Sequence, residues 1–300
     1  MRARLILNGK KADRLDVRAA VANLRGAGHD LEVRVTWEQG DAARMVAEAA
    51  VDGVPRVIAG GGDGSINEAA TGLLALAADQ RPALGILPLG TANDFATACG
   101  IPAEPAAALQ LALTGEPAGI DAGRCNDGIF VNVASGGFGA EITADTPVAL
   151  KNFLGGGAYT LMGLLKAIDF RPYDVAIRTP TGELPGTFVV AAICNGRQAG
   201  GGQQLAPSAL IDDGLLDMVF LRPFPLASVP QVIDEVLHRR DDGRFVVHRR
   251  LPWVEIEATG PVPVNLDGEP MRASRFRFSC EPCSLRLVVP SSCPCLTGSR

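Results

Sequence analysis

The amino-terminal part of the chain alternates short apolar, β-branched runs with stretches of helical spacing. "RLILNG" (4–9), "LEVRVTW" (31–37), "RVIAG" (56–60) and "ALGILPLG" (83–90) predict strands, and residues 15–27, 41–52 and 65–78 predict helices between them. In the third helix Ile66, Ala69, Ala70, Leu73, Leu74 and Ala77 recur at i, i+3, i+4, i+7, i+8 and i+11, which makes one apolar stripe. Such alternation predicts an α/β domain over residues 1–124, built on a parallel sheet covered on both faces. From residue 125 the punctuation changes. The runs 129–135, 173–179, 187–194, 215–221, 253–258, 262–268 and 275–280 read as strands between Gly, Pro and Asp turns, with helical spacing only near 147–169 and 226–238. Residues 125–300 therefore predict a β-rich sandwich of antiparallel pairs, and the last ~15 residues are candidates to return to the first domain.

Composition narrows the function classes. Three hundred residues, 47% of them hydrophobic, suffice for a substantial core, and the net charge of -5 argues against a dedicated nucleic-acid binder. Only Lys10, Lys11, Lys151 and Lys166 supply lysine, which reads as a compositional habit of the source. The start "MRARLILNGKKADR" has too short an apolar core for a signal peptide. The longest uncharged, mostly apolar run, 152–165, falls short of the roughly 20 residues needed to span a bilayer. A cytoplasmic chain is expected, without a transmembrane segment, whose membrane contact is confined to a surface. The seven cysteines do not form a disulfide framework by count. Cys280-x-x-Cys283 and Cys293-x-Cys295 imitate a zinc set, but the second spacing is short and buried thiols are the simpler reading. Three histidines without an HExxH pattern argue against a catalytic zinc.

Ligands of open parallel sheets sit at the carboxyl ends of the strands. Three polar, glycine-bearing segments fall there: "VIAGGGDGSINE" (57–68), "PLGTANDF" (88–95) and "TWEQGD" (36–41), with Asn8-Gly9 after the first strand. Glycines let backbone amides approach phosphate, and a helix N-terminus adds a field that favours anions. Ser65 and Glu68 have capping-box spacing, Thr91 and Asp94 form a weaker one, and Asp41 is a plausible N-cap. Asp63 is the odd residue. An acid in an anion site is unfavourable unless Mg²⁺ or a hydrogen-bond donor offsets it; the plain alternative is a turn aspartate bonding its own backbone.

"GGGDGSINE", "GILPLGTANDFA", "TWEQGDAAR", "NGRQAGGGQQLAP" and "NLDGEP" together closely resemble the YegS-like lipid kinases, of the diacylglycerol-kinase catalytic-domain family that includes sphingosine kinases. The resemblance covers essentially the whole chain. "GGDGS" alone also occurs in NAD kinases and 6-phosphofructokinases, whereas "PLGTANDFA" separates the lipid kinases from both; Ser65 stands where the family usually has threonine. The resemblance implies ATP contacts by Thr36, by Gly62, Asp63, Gly64, Ser65, Ile66, Asn67 and Glu68, and by Thr91, with Asp63 catalytic. It implies a Mg²⁺ site, with Ca²⁺ as the alternative ion, using the backbone carbonyls of Leu210 and Leu215 and the carboxylate of Asp213, although Asp213-Gly214 is also a good turn. It assigns the catalytic base to Glu269, with Asp267 as runner-up; from the residues alone 267–270 is a turn. The implied reaction is phosphoryl transfer from ATP to a lipid hydroxyl at a membrane surface, on phosphatidylglycerol or diacylglycerol. A soluble-metabolite kinase of the NAD kinase type and a non-catalytic lipid or nucleotide sensor are the alternatives. The run 153–165 with Phe170 is a candidate acyl-chain entry or a core helix, and "HRRDDGRFVVHRR" (238–250) a candidate headgroup contact or a solvated hairpin.

Overall fold

The computed structural model describes residues 1–137, 172–238 and 243–299. The helical stretch expected at 147–169, the run 153–165, Phe170, Arg239 and Arg240 lie outside the described residues. The chain divides into two compact units, Met1–Ala122 with Ile211–Asp213 and Pro282–Arg300, and Gly123–Leu210 with Gly214–Glu281.

The first unit runs β1 (Arg2–Asn8), α1 (Leu15–Gly26), β2 (Asp30–Thr36), α2 (Asp41–Val51), β3 (Arg56–Gly61), α3 (Asp63–Leu74), β4 (Ala83–Pro88), α4 (Asp94–Ala98) and α5 (Pro105–Thr114). β4, β3, β1 and β2 pair in that order, all parallel. Every residue of β3 and β4 is buried, which explains why "RVIAGG" and "ALGILP" are continuous runs without alternation: strands covered on both faces have no solvent side. Leu5, Leu7, Val17, Val21, Leu24, Ile58, Leu87, Leu109 and Leu113 form a core on one side of this sheet. In α3 Ile66, Ala69, Ala70 and Leu73 are buried as the stripe requires, but the helix begins at Asp63 and ends at Leu74, two residues earlier and four earlier than the pattern predicts. Helix α5 was not legible by stripe. Its start is marked instead by Glu104, whose carboxylate accepts the amides of Ala106 (3.0 Å) and Ala107 (2.7 Å), with Pro105 at the first helical position.

After β5 (Pro117–Cys125), the second unit contains β6 (Gly128–Phe130), β7 (Val133–Gly137), β8 (Tyr173–Thr179), β9 (Gly182–Phe188), β10 (Val190–Cys194), the short pair β11 (Gln198–Ala199) and β12 (Gln203–Gln204), β13 (Leu216–Leu221), α6 (Val229–His238), β14 (Val246–Leu251), β15 (Trp253–Leu266) and β16 (Glu269–Val288). Strands β14, β13, β10, β7, β15 and β16 pair antiparallel in that order, and β8–β9 joins through β15. The expected strands 253–258 and 262–268 are one strand with a register shift between Glu257 and Val262, and 275–280 is the middle of β16. Phe130, Phe188, Phe220, Phe276 and Phe278 fill the core, with Phe188 stacked on Phe220 at 5.1 Å between centroids. The last residues of β16 belong to the first unit, where Leu287 pairs with Leu84 of β4.

Helices α2 and α3 touch through backbone at Gly72. A Cβ there would lie 2.7 Å from Ala43 Cα and 3.0 Å from its carbonyl oxygen. Gly→Ala inside a helix normally stabilises by about 0.5–1 kcal/mol. Gly72→Ala should instead cost about 1–3 kcal/mol through overpacking. Gly26→Ala, with nothing within 4 Å, should be neutral or stabilising. Urea denaturation midpoints of the two variants test the difference in sign.

Candidate active site

Because β1 to β4 are parallel, their carboxyl ends lie together, with Asn8 opposite Thr36, Leu7 opposite Gly60 and Gly61 opposite Pro88. The Gly9 amide donates to Thr36 Oγ1 (3.4 Å), and Asn8 Nδ2 donates to Ser65 Oγ (3.3 Å). The glycines here answer to distinct constraints. A Cβ on Gly61 would sit 2.1 Å from Ser65 Oγ, and a Cβ on Gly90 would sit 2.6 Å from Gly62 Cα. Two backbones therefore cross at Gly62 and Gly90, and the Leu89 amide donates to Gly61 O (2.7 Å) beside the crossing. Gly64 faces open space, with nothing within 4 Å of its missing Cβ.

Asp63 is satisfied by the protein. Its Oδ2 accepts the Asp94 amide (3.1 Å) and its Oδ1 the Phe95 amide (3.0 Å), the first two amides of α4. The acid of one glycine loop thus caps the helix of the other, which corrects the turn reading of its own backbone. Each carboxylate oxygen has a second lone-pair direction, so these bonds are compatible with a cation on the half-buried side chain. Helix α3 starts behind Gly62 with no side-chain cap, and its first amides, those of Asp63 and Gly64, have no acceptor within the helix.

The three expected caps are differently made. Ser65 lies inside α3, and Glu68 reaches away from it: Glu68 Oε1 accepts the amides of Gly40 (2.6 Å) and Ala42 (3.2 Å) at the start of α2. Thr91 is exposed and does not cap α4, whose N-cap is Asn93 at φ 52°. Asn93 Oδ1 accepts the Gly90 amide (2.7 Å), closing that loop locally. Asp41 is the first residue of α2 behind Gly40 (φ 90°), and its Oδ2 accepts the amides of Trp37 (2.7 Å) and Glu38 (3.2 Å). Of the expected nucleotide contacts, Thr36, Gly62, Asp63, Gly64, Ser65 and Thr91 are gathered at this end of the sheet. Ile66 is fully buried core, and Asn67 is buried, so backbone is what either can offer.

In the second unit, Asp267 (φ 51°) and Gly268 (φ 110°) form the two-residue turn between β15 and β16, with Leu266 opposite Glu269. The Asp267 carboxylate accepts the amides of Val131 (2.6 Å), Asn132 (3.2 Å) and Val133 (2.8 Å). Those three bonds engage Asp267 in fixing the turn. Glu269, two residues on, opens β16 and is exposed. The sequence reading missed Asn132 and Asn195. Asn195 is fully buried and donates to Val131 O (2.8 Å), and the Gly196 amide donates to Asn132 O (2.8 Å). A Cβ on Gly196 would lie 2.1 Å from Asn132 Oδ1, so the Asn-Gly pair after β10 was the available signal.

Leu210 is buried, Asp213 and Leu215 are half-buried, and Gly214 turns the chain at φ 73° where it passes between the units. Asp212, next to Asp213, accepts the Thr297 amide (2.9 Å) and hydroxyl (2.8 Å). Among the described residues no group of three or more His, Cys, Asp or Glu is placed to hold a metal. The cysteines group otherwise than their spacing suggests. Cys99, Cys293 and Cys295 are buried together, and hydrogen bonds with Cys293 and Cys295, then burial, push the Cys99 thiol well above its ordinary value. In the basic tract, His248 Nε2 lies 2.8 Å from Asp217 and Arg250 pairs with the same acid at 3.7 Å.

A parallel α/β unit with interlocked glycine loops and an antiparallel β unit match the fold of the diacylglycerol kinase and NAD kinase-like proteins. Residues 2–125 match the diacylglycerol kinase catalytic domain family, and residues 132–289 match the YegS C-terminal NAD kinase beta sandwich-like domain. The chain belongs to the YegS-like lipid kinase family. It is 49% identical over 297 residues to a Shewanella frigidimarina protein named "Probable lipid kinase YegS-like", covering 99% of this chain and 96% of the relative. A Chromohalobacter salexigens protein of the same name is 53% identical over 287 residues, covering 95% and 92%. A crystal structure of a diacylglycerol kinase from Bacillus anthracis, 22% identical, shares the fold with a TM-score of 0.74, covering 97% of this chain and 98% of that one. Among the described residues no helix is long and apolar enough to cross a membrane.

The Trp37 amide, then Arg44 and the Glu38 amide, bind the charged form of Asp41 and hold its pKa down to about 2. A depressed carboxylate pKa contributes stability that is present above the usual carboxylate range and lost as pH falls through about 2. Asp41→Asn should therefore flatten the stability profile between about pH 4 and pH 2, measured by urea denaturation at stepped pH. An unchanged slope would show that the loop bonds do not form in solution.

Proposed function

We propose that this protein transfers the γ-phosphoryl group of ATP to the hydroxyl of a lipid, phosphatidylglycerol or diacylglycerol, at the cytoplasmic membrane surface. The observation that carries the reading is the Asp63 bridge to α4, which fixes two glycine loops at the sheet end where nucleotides bind. Gly62, Asp63 and Gly64 offer backbone amides at the start of α3, and Thr36, Ser65 and Thr91 offer hydroxyls beside them. No lysine stands in this loop, so amides and a cation must balance phosphate charge. Asp63 would hold Mg²⁺ there, which supplies that neutralisation when bound. Leu210 and Leu215 carbonyls with the Asp213 carboxylate would hold a second Mg²⁺ or Ca²⁺.

Glu269 is the base in this reading. A lipid hydroxyl is a poor nucleophile at neutral pH, and an exposed carboxylate at the head of a strand can accept its proton during transfer. Asp267 supports it by fixing the turn. The Asp63 carboxylate has a double duty, loop bridge and cation ligand, and the two parts have different sizes. Losing a helix cap costs about 0.5–2 kcal/mol, whereas losing an electrostatic element of the site costs about 10²–10³ in rate.

Asp63→Ala should thus remain folded with a modest loss of stability while transfer falls at least about a hundredfold. Thermal melting and labelled-ATP transfer to a lipid panel in mixed micelles, with NAD as soluble control, measure both. Phosphorylated NAD without phosphorylated lipid would overturn the lipid reading, and nucleotide binding without transfer to any acceptor would make the protein a sensor. Glu269→Gln should keep nucleotide affinity and lose about 10²–10⁴ in turnover. Equal loss of both would assign Glu269 a structural role.

A further inference from the structure

The large apolar side chains most exposed among the described residues are Met1, Leu15, Val35, Trp37 and Val51. Three of them fall where β2 ends and α1 begins, at the carboxyl end of the sheet. β2 is an edge strand whose odd-numbered residues face α1: Leu31 is buried in the core under that helix, and Val33 is partly covered. The cover then ends. Leu15, the first residue of α1, is 78% exposed, Val35 is 45% exposed, and Trp37, just past β2, is 95% exposed. A tryptophan left this far in water beside two other bare apolar side chains is a patch, not a scattered residue.

Cations flank the same corner. Gly9, Lys10 and Lys11 form a single turn after β1, and a Cβ on Gly9 would lie 3.7 Å from Val35 Cγ1, so this turn lies beside the end of β2. Lys10 is exposed and Lys11 half-buried, two of the four lysines in the chain, and neither makes an ion pair among the described residues. Arg18 is exposed, while Arg14 is paired with Asp16. Asp13, Asp16 and Glu38 are the acids of the neighbourhood, and Asp16 is the one paired with Arg14. An indole beside aliphatic side chains and unpaired lysines is the chemistry that suits the headgroup layer of an anionic bilayer: tryptophan sits at the interface and lysine pairs with lipid phosphate.

We propose that Leu15, Val35, Trp37, Lys10 and Lys11 form a docking surface for anionic membrane, placed at the sheet end that carries the candidate nucleotide site. This inference rests on the reading that the acceptor is a lipid. It accounts for a bare tryptophan next to Thr36.

The chain has two tryptophans, so Trp253→Phe leaves Trp37 as sole reporter in the full-length protein. Vesicles of phosphatidylglycerol should shift its emission to the blue, and vesicles of phosphatidylcholine alone should not. Trp37→Ala and the Lys10→Ala/Lys11→Ala pair should each weaken co-sedimentation with phosphatidylglycerol vesicles by roughly tenfold or more. Both variants should keep full transfer to a short-chain, water-soluble acceptor, which separates docking from chemistry. Unchanged sedimentation in both variants would overturn the proposal, as would a Trp37 emission that responds to ATP alone and not to vesicles. If phosphatidylglycerol vesicles bind through Trp37 yet no lipid is phosphorylated, the kinase reading fails and the docking surface stands.

Discussion

Two glycine-rich loops at the end of the parallel sheet are held by one carboxylate and one backbone crossing. Asp63 accepts both leading amides of α4, and Gly62 and Gly90 approach so closely that neither position admits a side chain without displacement. The two features require each other. Without the crossing, Asp63 could not reach α4; without Asp63, α4 would begin behind a left-handed Asn93 whose side chain is spent on its own loop. A cap of this kind is worth about 0.5–2 kcal/mol, and it fixes the loop positions on which any phosphate contact depends.

The same device recurs. Glu68 closes the start of α2, Asp41 closes the turn before it, Asp267 gathers three amides of 131–133, and Glu235 gathers those of Arg244, Phe245 and Val246. Burial works against the charge of Glu235, yet the amides hold its pKa below the usual range. A chain with 35 glycines has loops poor in side chains, and their amides must find acceptors elsewhere. Carboxylates from neighbouring elements meet that need. Cross-element capping therefore replaces the local capping boxes that the spacing suggests.

This substitution marks where the sequence was legible and where it was not. The parallel sheet could be read because "RVIAGG" and "ALGILP" are buried on both faces, and α3 because its stripe is unbroken. Helix boundaries could not, since Ser65-x-x-Glu68 has the form of a cap while its acid serves a helix far along the chain. The strand β15 was read as two because Gly260-Pro261 interrupts its period, although antiparallel pairing resumes beyond it. Thr36, Asp63 and Thr91 stand out in the sequence by their positions after strands. Asn132 and Asn195 were missed because a buried amide serving backbone leaves no periodic trace.

The turn at 267–269 shows how one acid sets the place of another. A two-residue turn with both residues at positive φ fixes the direction in which the chain enters β16, and Asp267 anchors that turn from inside by binding three amides. Side chains alternate along a strand from the first paired residue. Leu266 pairs opposite Glu269, so the turn and the register together set the acid at the strand head. One acid defines the turn, and its neighbour beyond a glycine is exposed at the strand head. Replacing Gly268 would therefore act on Glu269 through backbone alone, since no side chain meets the missing Cβ. At φ 110° an alanine strains the turn, and the strain falls on the position of the carboxylate.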